Sequence, residues 1–331
     1  MRLVTFRKNG GEPAIGALCD EDRSIVAFAE AHARTGAGPS QWFADMLALM
    51  DGGDAALDAA RALVERAVAG ELGPLVDTGS VELMAPVPVP RSIRDCLSFE
   101  KHFRQAREGR MRALVAKAAD PVAAEAELRA SGRFGIPKAW YDLPLYYKAN
   151  RFSVVGTGTD LIMPSYSQEM DYELEFGIFL KGPLKSVKAE HAREHIFGYT
   201  IFNDMSARDI QSIEVPCGMG PAKSKDFDTG NVMGPCLVTA DEIPDPYALK
   251  MEVYVNGELR GSGNSRDMYH SFEAMIERMS DHETLHTGEF VASGTVGDGS
   301  GVEHDVYLEH GDLIEMTVEK IGTLRNRAIR L

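Results

Sequence analysis

The sequence predicts an α+β protein built on a strongly curved, mixed β-sheet. Three observations lead there. After residue 140 short strands dominate, separated by Gly- and Pro-containing turns, with few helices between them. From Pro39 to about Gly70 the composition turns Ala- and Leu-rich with helical spacing. Between the two regions stands Ala85-Pro86-Val87-Pro88-Val89-Pro90, whose alternating prolines favour an extended, semi-rigid stretch and exclude helix or central strand. The chain therefore divides there, into a small N-terminal α/β domain over 1–88 and a larger domain over 89–331.

Along the chain, residues 1–30 read as short strands, with Gly10-Gly11 and Asp20-Glu21-Asp22 as turn signals. A helix follows, clearest from Ala55 to Val68. Residues 103–131 are rich in Ala, Arg and Glu and broken by Asp120-Pro121, which predicts two short helices directly after His102. A helical insertion over about 100–131 is placed to act as a lid; a peripheral insertion has the same pattern. Strands are expected at 145–147, 153–155, 172–180, 235–239, 250–256 and 312–318. There is no internal repeat, and Gly297-Asp298-Gly299-Ser300-Gly301 lacks the Lys and Ser/Thr of a phosphate loop.

Composition narrows the partners. The 331 residues are 44% hydrophobic and 26% charged, ordinary for a soluble globular protein. A formal charge of −15 argues against nucleic acid or an anionic membrane, since both need clustered Lys and Arg. An acidic protein that binds an anionic substrate needs a local cation, and a bound metal would supply it. Cys19, Cys96, Cys217 and Cys236 are scattered, which fits a reducing cytoplasm better than a disulfide framework. Met1 to Phe6 reads as a strand and not as a signal peptide, and no apolar run approaches membrane-spanning length. The expectation is a cytoplasmic protein.

Two segments carry chemistry. Around Asp171-Tyr172-Glu173-Leu174-Glu175 the apolar residues Tyr172, Leu174, Phe176, Ile178 and Leu180 fall on every second position. That alternation predicts a half-buried strand with Asp171, Glu173 and Glu175 on its other face. Like charges on one face repel unless a cation lies between them. Thirty residues on, Asp204, Arg208 and Gln211 sit at i, i+4 and i+7, which predicts one face of a helix. Carboxylates of this kind suit Mg²⁺, Mn²⁺ or Ca²⁺. A solvated acidic strand beside an ordinary amphipathic helix has the same spacing.

Five motifs in order then resemble the fumarylacetoacetate hydrolase family, over roughly residues 90–331. They are Asp171 to Glu175; Gly198-Tyr199-Thr200 through Asn203-Asp204-Met205-Ser206-Ala207-Arg208-Asp209; Lys225-Asp226-Phe227-Asp228-Thr229; Gly294-Thr295; and Gly322-Thr323-Leu324-Arg325-Asn326. The resemblance implies Glu173, Glu175 and Asp204 as metal ligands, with Asp95 as a further carboxylate, and Mg²⁺ as the expected cation, Mn²⁺ or Ca²⁺ being alternatives. It implies His102, seven residues after Asp95, as catalytic base, oriented by Glu303. Glu100 is a second candidate for that role, while Gln105 stands where one branch of the family has a glutamate. Lys225 is expected to stabilise developing negative charge, and Arg208, Gln211, Thr295 and Tyr147 to contact substrate.

The implied reaction is metal-dependent hydrolysis of a carbon–carbon bond in a 1,3-diketone acid such as an acylpyruvate. Decarboxylation, tautomerisation or hydration of a 2-oxo acid is the alternative on the same platform. The resemblance also implies a homodimer. Residues 103–142 and 212–222, which match no family pattern closely, are expected to set specificity.

Overall fold

The computed structural model describes residues 1–36 and 38–331. Among these the backbone forms two large open sheets, with helices packed on them. The larger sheet has 12 strands. Its path runs Val76–Asp77, Ser24–Ala27, Pro13–Cys19, Arg2–Arg7, Asn231–Thr239, Ile196–Asp204, Leu174–Leu180, Phe290–Ala292, Ile93–Cys96 and Tyr146–Lys148. Neighbours on this path are antiparallel except Phe290–Ala292 beside Ile93–Cys96, which run parallel. A second sheet of 5 strands orders Glu258–Asn264, Lys250–Val255, Leu313–Val318, Gly322–Arg330 and Asp160–Met163. The strands expected from 140 onward are present within a few residues of their predicted bounds.

The first 88 residues share the larger sheet. Arg2–Arg7 pairs with Asn231–Thr239, Arg2 opposite Val238. The helix Gly53–Val68 buries Ala56, Ala60, Leu63 and Ala67 at helical spacing, against the face that also buries Phe179, Phe202 and Phe290. Residues 84–90 contain no helix or strand, as their prolines require.

The strand Leu174–Leu180 departs from expectation in one respect. It is buried on both faces rather than half-buried. Leu174, Phe176, Ile178 and Leu180 enter one core, Phe179 enters the other, and Gly177 lies under the Phe290 ring. Period-2 alternation marked two distinct interiors, of which one is a core and the other is polar at Glu175 and a second core at Phe179.

The second departure concerns Asp204. It ends the strand Ile196–Asp204, and the helix begins only at Arg208 and runs to Glu214. The run Ile196 to Phe202 is buried throughout and pairs with a strand on each side, so the sheet claims it through Asp204. The chain then turns, with Met205 N–H donating to Gly230 O and Arg208 N–H to Glu169 O. Arg208 and Gln211 keep the expected proximity: Nη1 donates to Oε1 at 3.0 Å.

The insertion forms two helices, Glu100–Ala116 and Pro121–Ala130. Asp120 caps the second, accepting from Ala123 N–H at 3.1 Å, with Pro121 in the first turn where its missing N–H costs nothing. No helix among the described residues is long and apolar enough to cross a membrane.

Candidate metal centre and active site

Three strands of the larger sheet bring the acidic residues together, the first two adjacent and the third separated from them by one strand. Asp204 comes from the end of Ile196–Asp204, Glu175 from Leu174–Leu180 and Asp95 from Ile93–Cys96. Each offers an oxygen, and the three oxygens lie within 4.8 Å of one another. All three residues are buried, at 3%, 1% and 1% exposure for Asp95, Glu175 and Asp204. Glu175 is oriented by the turn after Phe290–Ala292: Gly294 N–H donates to Oε2 at 2.9 Å and Thr295 Oγ1 to Oε1 at 3.1 Å. Gly294 has φ +81°, and a Cβ there would stand 2.6 Å from Cys96 O, so the turn needs glycine.

Two buried cations stand opposite. Lys225 Nζ donates to Glu173 Oε2 at 2.6 Å and also to Asp204 Oδ2. Arg208 spans two carboxylates, with Nε on Asp171 at 2.7 Å and Nη2 on Glu173 Oε1 at 2.7 Å. Glu173 therefore has both oxygens engaged by cations, and it lies outside the three-carboxylate cluster. Asp171 holds Arg208 and accepts from Gly301 N–H at 2.7 Å and Val302 N–H at 3.0 Å. Tyr147 donates its hydroxyl to Asp204 Oδ2 at 2.5 Å.

His102 sits in the first turn of the helix Glu100–Ala116, buried, with Nδ1 2.9 Å from Glu303 Oε1. The other oxygen of Glu303 accepts from Ser300 N–H at 2.9 Å, which fixes the carboxylate. Glu100 faces elsewhere, accepting from Tyr141 at 3.1 Å and from Arg104. Gln105 donates to Asp298 Oδ1 at 2.6 Å and so ties the helix to the 297–301 loop. Nε2 of His102 points back toward Glu173, 3.7 Å from Oε1. A cavity of about 360 Å³ opens among these groups, lined also by Gln211, Thr295, Tyr147 and Lys225.

Burial and like charge dominate the electrostatics. Asp95 is pushed well above the carboxylate range by burial and then by Glu175 and Asp204. Glu175 is raised likewise by burial, Glu173 and Asp204. Burial also raises Asp204, although Lys225 opposes it. Glu173 goes the other way: burial would raise it, but Arg208, Lys225 and His102 together hold it below the usual range. Burial works to lower Lys225, yet Asp204 and Glu173 keep it above the ordinary lysine value.

The donor set fits a hard divalent cation. Asp95 Oδ1 and Asp204 Oδ1 are buried with no hydrogen-bond partner. Unpaired buried carboxylate oxygens are costly, and a cation among them removes both the desolvation and the mutual repulsion. An all-oxygen set suits Mg²⁺, Mn²⁺ or Ca²⁺.

The structure gathers Asp95, Glu173, Glu175, Asp204, Lys225, Arg208, Gln211, Thr295, Tyr147 and His102 around one cavity, with Glu303 behind His102, but Glu100 faces away and Glu173, expected as a metal ligand, is held by Lys225 and Arg208 outside the three-carboxylate cluster. Three features escaped the sequence. Asp171 is the anchor of Arg208; its shared face with Glu173 was the available signal. Gly294 and Ser300 contribute backbone N–H groups, which leave no trace in side-chain type. Arg107 and Arg110 also line the cavity. Arg110 follows His102 by two i+4 steps, which places it near the same helix face.

Comparison with known proteins agrees. Residues 116–329 match the model of the fumarylacetoacetate (FAA) hydrolase C-terminal domain, a stretch that holds Glu173, Glu175, Asp204 and Lys225 but begins after Asp95 and His102. Oxaloacetate tautomerase YisK of Bacillus subtilis (strain 168) is 38% identical over 188 residues, 56% of this chain and 60% of that protein. The mitochondrial oxaloacetate tautomerase Fahd2a of Rattus norvegicus is 30% identical over 286 residues, covering 86% of this chain and 79% of the relative. The match to the Bacillus protein thus spans about three fifths of that relative's length. Among solved structures, the fumarylacetoacetate hydrolase (EaFAH) of psychrophilic Exiguobacterium antarcticum superposes with a TM-score of 0.71 at 26% identity over 100% of both chains. Maleylpyruvate hydrolase of Sphingobium sp. SYK-6 in complex with manganese (II) ion and pyruvate gives 0.70 at 23% identity over 100% and 99% of the chains, a likeness of fold. The chain belongs to the fumarylacetoacetate hydrolase family.

Proposed function

We propose that this protein interconverts the keto and enol forms of a small 2-oxo dicarboxylic acid of the oxaloacetate type. The observation that carries the reading is His102, held through Nδ1 by Glu303 with Nε2 turned into a cavity walled by carboxylates and cations. The likeness to the Bacillus and rat oxaloacetate tautomerases favours tautomerisation over the carbon–carbon hydrolysis expected from the motifs.

Asp95, Glu175 and Asp204 would hold the cation, with Glu173 beside them on Lys225 and Arg208. A cation held there would act as a Lewis acid for the 2-oxo carboxylate end of the substrate and stabilise enolate charge. Arg208, Lys225 and Gln211 bind and orient the acid, Arg208 being held rigid by Asp171. Nε2 of His102 takes the proton from C3 as the C3–H bond breaks, and the imidazolium so formed returns it to the C2 oxygen, giving the enol and restoring neutral His102. Glu303 keeps the imidazole in one orientation and stabilises it when charged. The helix bearing His102 covers the cavity and excludes bulk water from the enolate.

Keto–enol relaxation of oxaloacetate, followed by enol absorbance with and without Mg²⁺ or Mn²⁺, tests this reading. Metal-dependent acceleration is expected. Unchanged relaxation, together with cleavage of an acylpyruvate by the same preparation, would return the assignment to hydrolysis, which the His102–Glu303 pair could also serve by activating water.

A further inference from the structure

Beyond the carboxylate cavity lies a second one, also about 360 Å³. Arg107, Arg110, Arg208 and Val215 line both. Charge around the second cavity is one-sided: Arg107, Arg110, Lys117, Arg133 and Arg208 face a single acid, Glu169. This is a local reversal in a chain whose formal charge is −15. Arg208 is committed to Asp171 and Glu173, and Lys117 meets Glu169 only at 4.0 Å. Arg107, Arg110 and Arg133 form no ion pair with a carboxylate among the described residues. Burial, and then the charges of Arg107, Arg208 and Arg133, hold the Arg110 guanidinium below its ordinary pKa. Arg107 Nε is buried without a hydrogen-bond partner, although one Nη of the same group donates to Arg133 O.

Several guanidinium groups directed at one space without a counter-charge repel one another and lose hydration. An anion in that space reverses both effects. Apart from Ser212, the remaining walls are apolar or aromatic, chiefly Leu114, Phe134, Val215, Pro216 and Tyr307. Arg133 lies over the Phe134 ring at 5.7 Å and Arg107 over the Phe103 ring at 5.1 Å, which leaves flat, weakly hydrated donors. The volume is within the roughly 300–1,000 Å³ usual for a small-molecule site. A four-carbon acid is accommodated by the carboxylate cavity and has no need of the second.

We infer that the second cavity is a separate site for a small organic anion, a carboxylate or phosphate carried on a flat apolar body. Its occupant touches the helix Glu100–Ala116 on one side and Val302 and Tyr307 on the other. These segments carry His102 and Glu303, so occupancy braces the pair from outside the reaction chamber.

The test is titration calorimetry on manganese-loaded protein saturated with oxalate, using phenyl phosphate, benzoate, inorganic phosphate and phenol as probes. One phenyl phosphate or benzoate is expected to bind per chain beside oxalate, at least about tenfold more tightly than inorganic phosphate or phenol. The tighter of the two identifies the preferred head group. Arg133→Ala, at an exposed position that lines only the second cavity, should weaken the probe about tenfold or more, with Arg133→Lys losing less. Oxalate binding and turnover should match the parent. Lys117→Ala provides a second variant should Arg133→Ala fold poorly. Competition between probe and oxalate, equal affinity for phenyl phosphate and inorganic phosphate, or unchanged affinity in both variants would overturn the site. Because the readout is binding, failure of tautomerase turnover would remove the proposed function and leave this site standing.

Discussion

Nδ1 of His102 lies 2.9 Å from Oε1 of Glu303 across 201 residues of sequence, and with Gln105–Asp298 and Arg112–Glu303 O it is one of the contacts through which the helical insertion meets the 298–303 loop. Both side chains are almost fully withdrawn from solvent, at 5% and 0% exposure. The partners of a buried, hydrogen-bonded pair act as a unit. His102→Ala should therefore lower tautomerase turnover by roughly 10²–10⁴. Glu303→Gln should cost less, and the double variant should be scarcely worse than His102→Ala. Steady-state kinetics on all three checks this; additive losses would mean that the two residues work separately.

Metal binding should depend on the sheet carboxylates and not on the histidine. Glu175→Gln is expected to weaken Mn²⁺ binding by more than the roughly 10–100-fold cost of an outer-shell change. His102→Ala should leave it nearly unchanged. Calorimetric titration of chelator-treated protein measures both, and tight binding by Glu175→Gln would remove that residue from the ligand set.

Stability of the metal-free protein should fall as pH rises. The native-state pKa values of Asp95, Glu175, Asp204 and Asp171 are raised, so at these groups the native state binds more protons than the unfolded chain. Their contribution is fully present below the ordinary carboxylate value of about 4 and is lost as pH climbs through the raised values. Glu173 is depressed and has the opposite effect, but its stabilisation is lost only below that ordinary value. Above about pH 5 the raised carboxylates therefore set the slope. Denaturant unfolding in chelator should show a decline above that pH, and saturating Mg²⁺ should flatten or reverse it. A rise with pH in chelator would contradict the charge assignment.

The helix carrying His102 is seated by Gly109, where a Cβ would stand 2.2 Å from Val302 O. Arg112 Nη2 adds a hydrogen bond to Glu303 O at 3.0 Å one turn further on. Gly109→Ala should push the helix off the 301–303 turn, at about 1–3 kcal/mol in stability. Turnover should fall through displacement of His102, with Mn²⁺ affinity retained. A variant with normal kcat and normal melting would show that the contact yields easily.

The readable parts of this sequence were those where one residue type implies one environment. Period-2 alternation from Tyr172 to Leu180 placed Glu173 and Glu175 on one strand face, and the Asp120-Pro121 break located a helix start. Asp204 was misread as helical because i, i+4, i+7 spacing is blind to the preceding run, which is buried on both sides and has no alternation to betray a strand. The junction of Arg2–Arg7 with Asn231–Thr239 was illegible for a related reason: strand pairing across such a separation leaves no periodic mark. Of the arginines around the second cavity, Arg107 and Arg110 lie on a helix with little apolar periodicity and Arg133 lies in a turn. There a buried-facing cation and a solvated one look alike in sequence.

The carboxylates stand on strands locked between neighbours, whereas the imidazole arrives on an inserted helical segment between Ile93–Cys96 and Tyr146–Lys148. The proposed metal site and the proposed base thus stand on separate parts of the chain, joined through the 298–303 loop. Replacing the inserted segment alone, or shifting its register by a turn, would change which atom is protonated while the oxygen cluster keeps its geometry. For this chain, new chemistry is most accessible through residues 100–142, and laboratory selection for altered reaction type should accumulate substitutions there before touching the sheet.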